Sequence, residues 1–103
     1  MALELRPNCE YCDVDLPAQS TDARICTYEC TFCASCVDTV LENVCPNCGG
    51  GFVPRPIRPR GEWRPRTGLD HDPPDGNRRS MGYPPDEVAA LTARLRAVDP
   101  ADR

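Results

Sequence analysis

Apolar residues recur at helical spacing in two places along the chain. The first stripe lies between Cys36 and Cys45 and consists of Val37, Val40, Leu41 and Val44. The second lies near the C terminus and consists of Val88, Leu91, Leu95 and Val98. Residues at these spacings share one face of an α-helix. The pattern predicts a short central helix and an amphipathic helix over residues 86–98, which Asp86 can cap and Asp99-Pro100 ends.

The cysteine-rich part of the chain has too few apolar residues for a large core. We expect a small core of Ile25, Phe32, Val37, Leu41 and Val44, with its edges covered by Leu16, Tyr28 and Val53. A segment of about 50 residues buries too little apolar surface to be stable alone, so metal ions or disulfides must support it.

Eight cysteines supply that support, and all of them precede residue 49. Their spacing is C-x2-C-x13-C-x3-C-x2-C-x2-C-x8-C-x2-C. It contains four pairs of closely spaced cysteines, here called hooks, which are Cys9/Cys12, Cys26/Cys30, Cys33/Cys36 and Cys45/Cys48. Two hooks provide the four thiolates of one closed tetrahedral zinc site, so the spacing predicts two zinc ions. The first residues lack the features of a signal peptide and no transmembrane run is visible, so we expect a cytoplasmic protein, where disulfides are rare.

The hooks can pair sequentially or in an interleaved order. A helix of about eight residues between Cys36 and Cys45 would rise roughly 12 Å, which separates the two hooks at its ends too far for one zinc ion. The interleaved order avoids this conflict and is the one we favour. Site 1 then contains Cys9, Cys12, Cys33 and Cys36, and site 2 contains Cys26, Cys30, Cys45 and Cys48.

Composition divides the chain into three segments: a zinc-binding domain over 1–52, a linker over 53–85 and the helix over 86–98. The linker opens with alternating proline and arginine, which is typical of extended and flexible chain. Residues 1–52 carry a formal charge of −6 and residues 53–103 carry +2. An acidic domain repels phosphate backbones, so we do not expect it to bind nucleic acid.

The cysteine order resembles the RING-type cross-brace, or treble-clef, zinc domain. The family's middle signature corresponds to Cys30-Thr31-Phe32-Cys33-Ala34-Ser35-Cys36, and its last hook corresponds to Cys45-Pro46-Asn47-Cys48. The resemblance implies a small α+β fold with two four-cysteine zinc sites, one short central helix and little strand. Tyr11 fits the apolar position by which RING ligases contact conjugating enzymes, whereas Gly49 stands where those ligases often have a basic residue.

The first 55 residues also resemble a family of short bacterial cysteine-rich proteins of unknown function, through the segments Leu3–Glu10, Glu29–Cys33 and Val44–Gly50. Closed thiolate sites leave no open metal position, and no catalytic constellation is visible. We therefore expect a non-catalytic module that binds an unidentified protein and no membrane, with self-association through the C-terminal helix as one option. The alternatives are a ubiquitin-ligase-like accessory factor, nucleic-acid binding through the arginine-proline linker, and a zinc or redox sensor.

Overall fold

A computed structural model describes residues 2–103. Three short strands form an antiparallel sheet in the order β2-β1-β3, with β1 at Ala23–Ile25, β2 at Thr31–Cys33 and β3 at Val53–Pro54. Strand β1 pairs with β2 through Arg24 opposite Phe32, and with β3 through Ile25 opposite Val53. The sheet brings the start of the proline-rich segment back beside the cysteine-rich part of the chain.

The central helical stretch starts directly after β2. Helix α1 covers Ala34–Cys36 and continues as a π-helical turn over Val37–Leu41, so Cys36 lies inside the helix rather than before it. The stretch ends where the backbone becomes left-handed, at Glu42 with φ 46° and Asn43 with φ 62°. Such a pair of non-glycine residues closes the helix sharply and turns the chain towards the last hook.

The C-terminal helix, α2, covers Pro85–Leu95, three residues short of its predicted end. Asp86 does not cap this helix, because the N-cap position is occupied by Pro84. Asp86 and Glu87 lie in the first turn, where acidic groups interact favourably with the helix dipole. A short 3-10 helix follows at Pro100–Asp102, capped by the side chain of Asp99. No helix within residues 2–103 is both long and apolar enough to cross a lipid bilayer.

The small core lies between the sheet and the central helix. All five predicted core residues are buried, and Phe32, Leu41 and Val44 are fully inaccessible. Phe52 packs edge-on against Phe32 with ring centroids 5.5 Å apart. Leu16 is buried as expected, whereas the expectation that Tyr28 and Val53 cover the core is wrong, since both side chains are exposed.

The proline-rich segment lies against residues 2–52, here called the head, at several points. Arg55 is buried and donates to the carbonyl groups of Arg6, Leu16 and Pro17. Further along, the Asn8 side chain exchanges two hydrogen bonds with the backbone of Arg79, at 2.7 and 3.0 Å. The flexibility expected of residues 53–85 stays a prediction.

Candidate metal centre

Four of the cysteines form one group, which the head builds from two distant pieces of chain. The first hook is a tight turn in which the Asp13 N–H donates to the Cys9 carbonyl and Asp13 has φ 68°. The other hook belongs to β2 and α1, where Cys33 occupies the N-cap position. The Sγ atoms of this group all lie within 4.8 Å of one another, and its members are Cys9, Cys12, Cys33 and Cys36.

Glu10 and Thr31 hold these two hooks together. Glu10 lies between the cysteines of the first hook, and Thr31 lies at the start of β2. Their backbones bond at 2.9 Å, and the Thr31 N–H donates to the buried Glu10 carboxylate at 2.6 Å. Arg6 donates to the same carboxylate at 2.9 Å and neutralises it. Sequence reasoning missed this network, although an arginine four residues before a glutamate inside a hook was a visible signal.

The second group contains three sulfur atoms within 4.8 Å of one another, those of Cys26, Cys45 and Cys48. Its last hook closes through the Gly49 N–H, which donates to the Cys45 carbonyl at 2.7 Å, and Gly49 has φ 81°. A residue with a side chain is strained at that φ, so glycine suits the turn. Cys30 is buried beside this group and contacts Cys26, but its sulfur falls outside the 4.8 Å set.

Backbone amides point at one sulfur atom of every hook. An amide donor stabilises a thiolate more than a neutral thiol, so these contacts suit sulfur atoms that carry negative charge. The donors are Cys12 to Cys9 at 3.5 Å, Tyr28 to Cys26 at 3.3 Å, Cys36 to Cys33 at 3.4 Å and Gly50 to Cys48 at 3.4 Å.

Burial and contacts between sulfur atoms shift the pKa values of several of these thiols. Burial raises the pKa of the thiols of Cys33 and Cys36 in the first group and of Cys30 beside the second. The hydrogen bond between the sulfur atoms of Cys26 and Cys45 lowers the pKa of Cys26 to about 5 and raises that of Cys45, because one sulfur keeps the proton the other gives up. A divalent cation would replace these protons, so metal binding should depend on pH.

The distances in the first group fit a metal ion better than a disulfide. The Sγ atoms of Cys12 and Cys33 are 3.7 Å apart. A tetrahedron with metal–sulfur bonds of about 2.3 Å has edges of about 3.8 Å, whereas a disulfide needs about 2.05 Å. All eight cysteines are free thiols. An all-sulfur donor set suits zinc, copper(I) or iron.

The structure thus brings seven of the eight predicted cysteines into two groups and places Cys30 next to the second. The groups alternate along the chain, since the first combines the first and third hooks. The lone histidine, His71, is exposed and lies outside both groups. The role of each cysteine as a metal ligand stays a prediction.

Fold and site together define a small α+β protein with two cysteine groups that could each hold a metal ion. The chain belongs to the family described as "Protein of unknown function (DUF1272)", whose model matches residues 2–58. It is 67% identical over 57 residues to an uncharacterized protein of Rhizobium meliloti (strain 1021), a match covering 55% of this chain and 68% of that protein. No solved structure matches the chain. The expected similarity to short cysteine-rich bacterial proteins is thereby confirmed at the level of the family.

Proposed function

We propose that this chain is a protein-interaction module stabilised by two structural zinc ions and not catalytic by itself. The observation that carries the proposal is the alternation of the two cysteine groups along the chain. In a RING-like cross-brace, the first and third hooks bind one ion and the second and fourth hooks bind the other. Zinc at Cys9, Cys12, Cys33 and Cys36, and at Cys26, Cys30, Cys45 and Cys48, would give this arrangement. Burial of Cys30 against Cys26 supports its inclusion.

The proposed ions would serve folding. The core between the groups has Phe32, Leu41 and Val44 as its fully buried large apolar side chains. Burial of one such side chain contributes only about 1.5–3 kcal/mol, and the entropy of ordering the loops opposes it. Metal binding adds stabilisation that so small a core cannot supply. Four protein ligands on each zinc would leave no position for a water nucleophile, which is why we assign no catalytic role.

Elemental analysis and chelation test the zinc sites. We expect two zinc ions per chain and loss of the folded NMR spectrum when a strong chelator removes them. One ion per chain, or a spectrum that survives complete zinc removal, would contradict the two structural sites. The loss of folding should reverse when zinc is returned.

Cadmium-113 NMR tests the grouping with a matched pair of substitutions. Cys33→Ser should change the resonance of the site that contains Cys9 and Cys12. Cys45→Ser should instead change the resonance of the site that contains Cys26 and Cys48. If both substitutions changed the same resonance, the hooks would pair sequentially, because Cys33 and Cys45 would then bind one ion.

One observation favours a second candidate function, which is nucleic-acid binding by the proline-rich segment. Trp63 is 78% exposed, and Arg60, Arg64 and Arg66 beside it are exposed as well. An indole with nearby guanidinium groups suits stacked bases and phosphates. Three phosphate contacts would give a slope of about −2 in log K against log salt for single strands. Because Trp63 is the single tryptophan, its fluorescence reports such binding directly; an unchanged signal with oligo(dT) would exclude it.

A further inference from the structure

The C-terminal segment, residues 84–103, lies across the end of the head that contains the last hook. Val88 and Thr92 of α2 are 3% and 5% exposed, and the Thr92 hydroxyl donates to the Leu41 carbonyl at 3.5 Å. Leu95 packs on Gly49: a Cβ atom added to that glycine would lie 3.2 Å from Leu95 Cδ1. The contact therefore uses one face of α2, at positions i, i+4 and i+7.

Arg103 anchors the end of this segment. Its Nη1 donates to the carbonyl groups of Asn43 and Gly49, both at 2.9 Å. These carbonyls can accept from Arg103 because the left-handed turn at Asn43 and the turn that closes the last hook keep them outside the backbone hydrogen bonds of a helix. Arg96 adds an exposed ion pair with Glu42 at 3.4 Å. The head thus offers two acceptors in fixed positions to a basic residue that follows a helix.

The fit between the segment and the head is incomplete. A cleft of about 380 Å³ remains between the last hook and α2, lined by Pro46 and Cys48 on one side and by Tyr83, Leu91 and Leu95 on the other. Most other residues of α2 are exposed. Contacts of this kind, few and partly solvated, belong to the parts of a protein that open easily.

The two sides of this contact differ in their relation to the family. Every head residue in it lies within residues 2–58, the range that the family model matches. The covering segment lies outside that range. The receiving face is therefore part of the shared module, while the helix that covers it belongs to the part of the chain beyond the match.

We propose that the face formed by Leu41–Asn43 and Pro46–Gly49, here called the helix face, is a docking site for an amphipathic helix of a partner protein. This inference rests on the proposed interaction function and names the partner's chemistry. The partner helix would present apolar or small residues at i, i+4 and i+7 and an arginine beyond its C-terminal end, as the chain's own segment does. That segment occupies the helix face until a partner displaces it.

The covalent link sets how strongly the segment competes with a partner. A flexible connection gives an effective concentration of about 1 mM. If a free copy of the segment binds with a Kd of about 50 µM, the attached copy weakens binding of any other helix about 20-fold. The same link favours the chain's own segment over that of a second copy at micromolar protein concentrations.

The test uses the full-length, zinc-loaded protein and a fluorescent synthetic peptide of residues 84–103. Val88→Asp places a charge in the buried stripe and should release the attached segment, whereas Ala89→Asp places the same charge on the exposed side of α2. We expect the peptide to bind the Val88→Asp protein at least tenfold more tightly than it binds the wild type or the Ala89→Asp protein. Arg103→Ala should also tighten binding of the peptide relative to the wild type, and it does so without placing a charge in the buried contact.

Three results would overturn the inference. The first is no peptide binding by either the Val88→Asp or the Arg103→Ala protein while both keep their zinc and a folded head spectrum. The second is equal binding by all four proteins. The third is a wild-type dimer in sedimentation at the concentrations used, because a second copy would then be the occupant. Zinc content distinguishes these results from a failure of the proposed function. A protein that lacks its two zinc ions would contradict the proposed function, whereas a zinc-loaded protein that gives one of these three results would contradict only the docking site.

Discussion

Replacing Arg55 with lysine tests why this chain uses arginine at a buried position. Arg55 is 4% exposed, and the three hydrogen-bond acceptors of its guanidinium are all backbone carbonyls. Nη1 donates to Arg6 at 2.8 Å, and Nη2 donates to Leu16 and Pro17 at 3.2 Å each. The planar fork reaches these groups in different directions, and so ties β3 to both flanks of the first hook.

A lysine ammonium concentrates its donors at one point and can keep about one of the three bonds. Each bond to a charged donor contributes about 1.5–3 kcal/mol, and a buried carbonyl left without a donor costs about 1–3 kcal/mol. Burial lowers the pKa of Arg55, which reflects the cost of desolvating the charge and offsets part of this gain. We therefore expect Arg55→Lys to lower the free energy of unfolding by about 2–3 kcal/mol.

Urea and thermal unfolding followed by circular dichroism, with zinc in excess, measure this difference. A loss of 2–3 kcal/mol corresponds to a fall in Tm of about 10–20 °C for a domain of this size. Arg60→Lys is the matched control, because Arg60 is an exposed member of the same arginine-proline run. Its effect should stay within about 0.5 kcal/mol. If Arg55→Lys were equally mild, the three carbonyl contacts would not stabilise the head and the reasoning would be refuted.

Two further changes probe the segment after β3 and the N-terminal residues of the head. The hydrogen bond from Arg6 lowers the pKa of Glu4 in the folded protein. The ionised Glu4 carboxylate therefore stabilises the fold above pH 4.5, and this stabilisation is lost as the pH falls through the lowered pKa. Glu4→Gln should cost less than about 1 kcal/mol near pH 7, and the difference from wild type in urea unfolding should disappear as the pH falls through the lowered folded pKa of Glu4. Gly68→Ala should disrupt its loop, because Gly68 has φ 95° and a Cβ atom would lie 2.5 Å from the Gly61 carbonyl oxygen. Trp63 fluorescence anisotropy should fall in that variant but not in Gly76→Ala, where a Cβ atom meets open space; equal values would show that the loop tolerates a side chain.

Local chemistry could be predicted because it depends on near neighbours in sequence. The hooks are short turns, and two or three residues between cysteines suffice to place both sulfurs on one side of a turn. The apolar stripe likewise identified Val37, Leu41 and Val44 as core. The start of the helix was placed too late because the stripe marks the buried face, whereas α1 begins at the N-cap formed by Cys33.

Other features could not be predicted because their partners are distant and polar. Nothing in the pattern around Arg55 distinguishes it from Arg60, yet one is buried and the other exposed. Tyr28 and Val53 do not cover the edge of the core as expected, because an apolar side chain beside a hook or at a strand edge has no periodicity that fixes its direction.

The sequence by itself determined that this protein has four cysteine hooks, a small core and two helices, since hook geometry and helical spacing act over a few residues. The tertiary structure alone decided where the proline-rich segment rests and what α2 covers. Those outcomes depend on carbonyl and amide groups that must find partners once buried. Every residue carries such groups, so the order of side chains does not reveal which of them will meet.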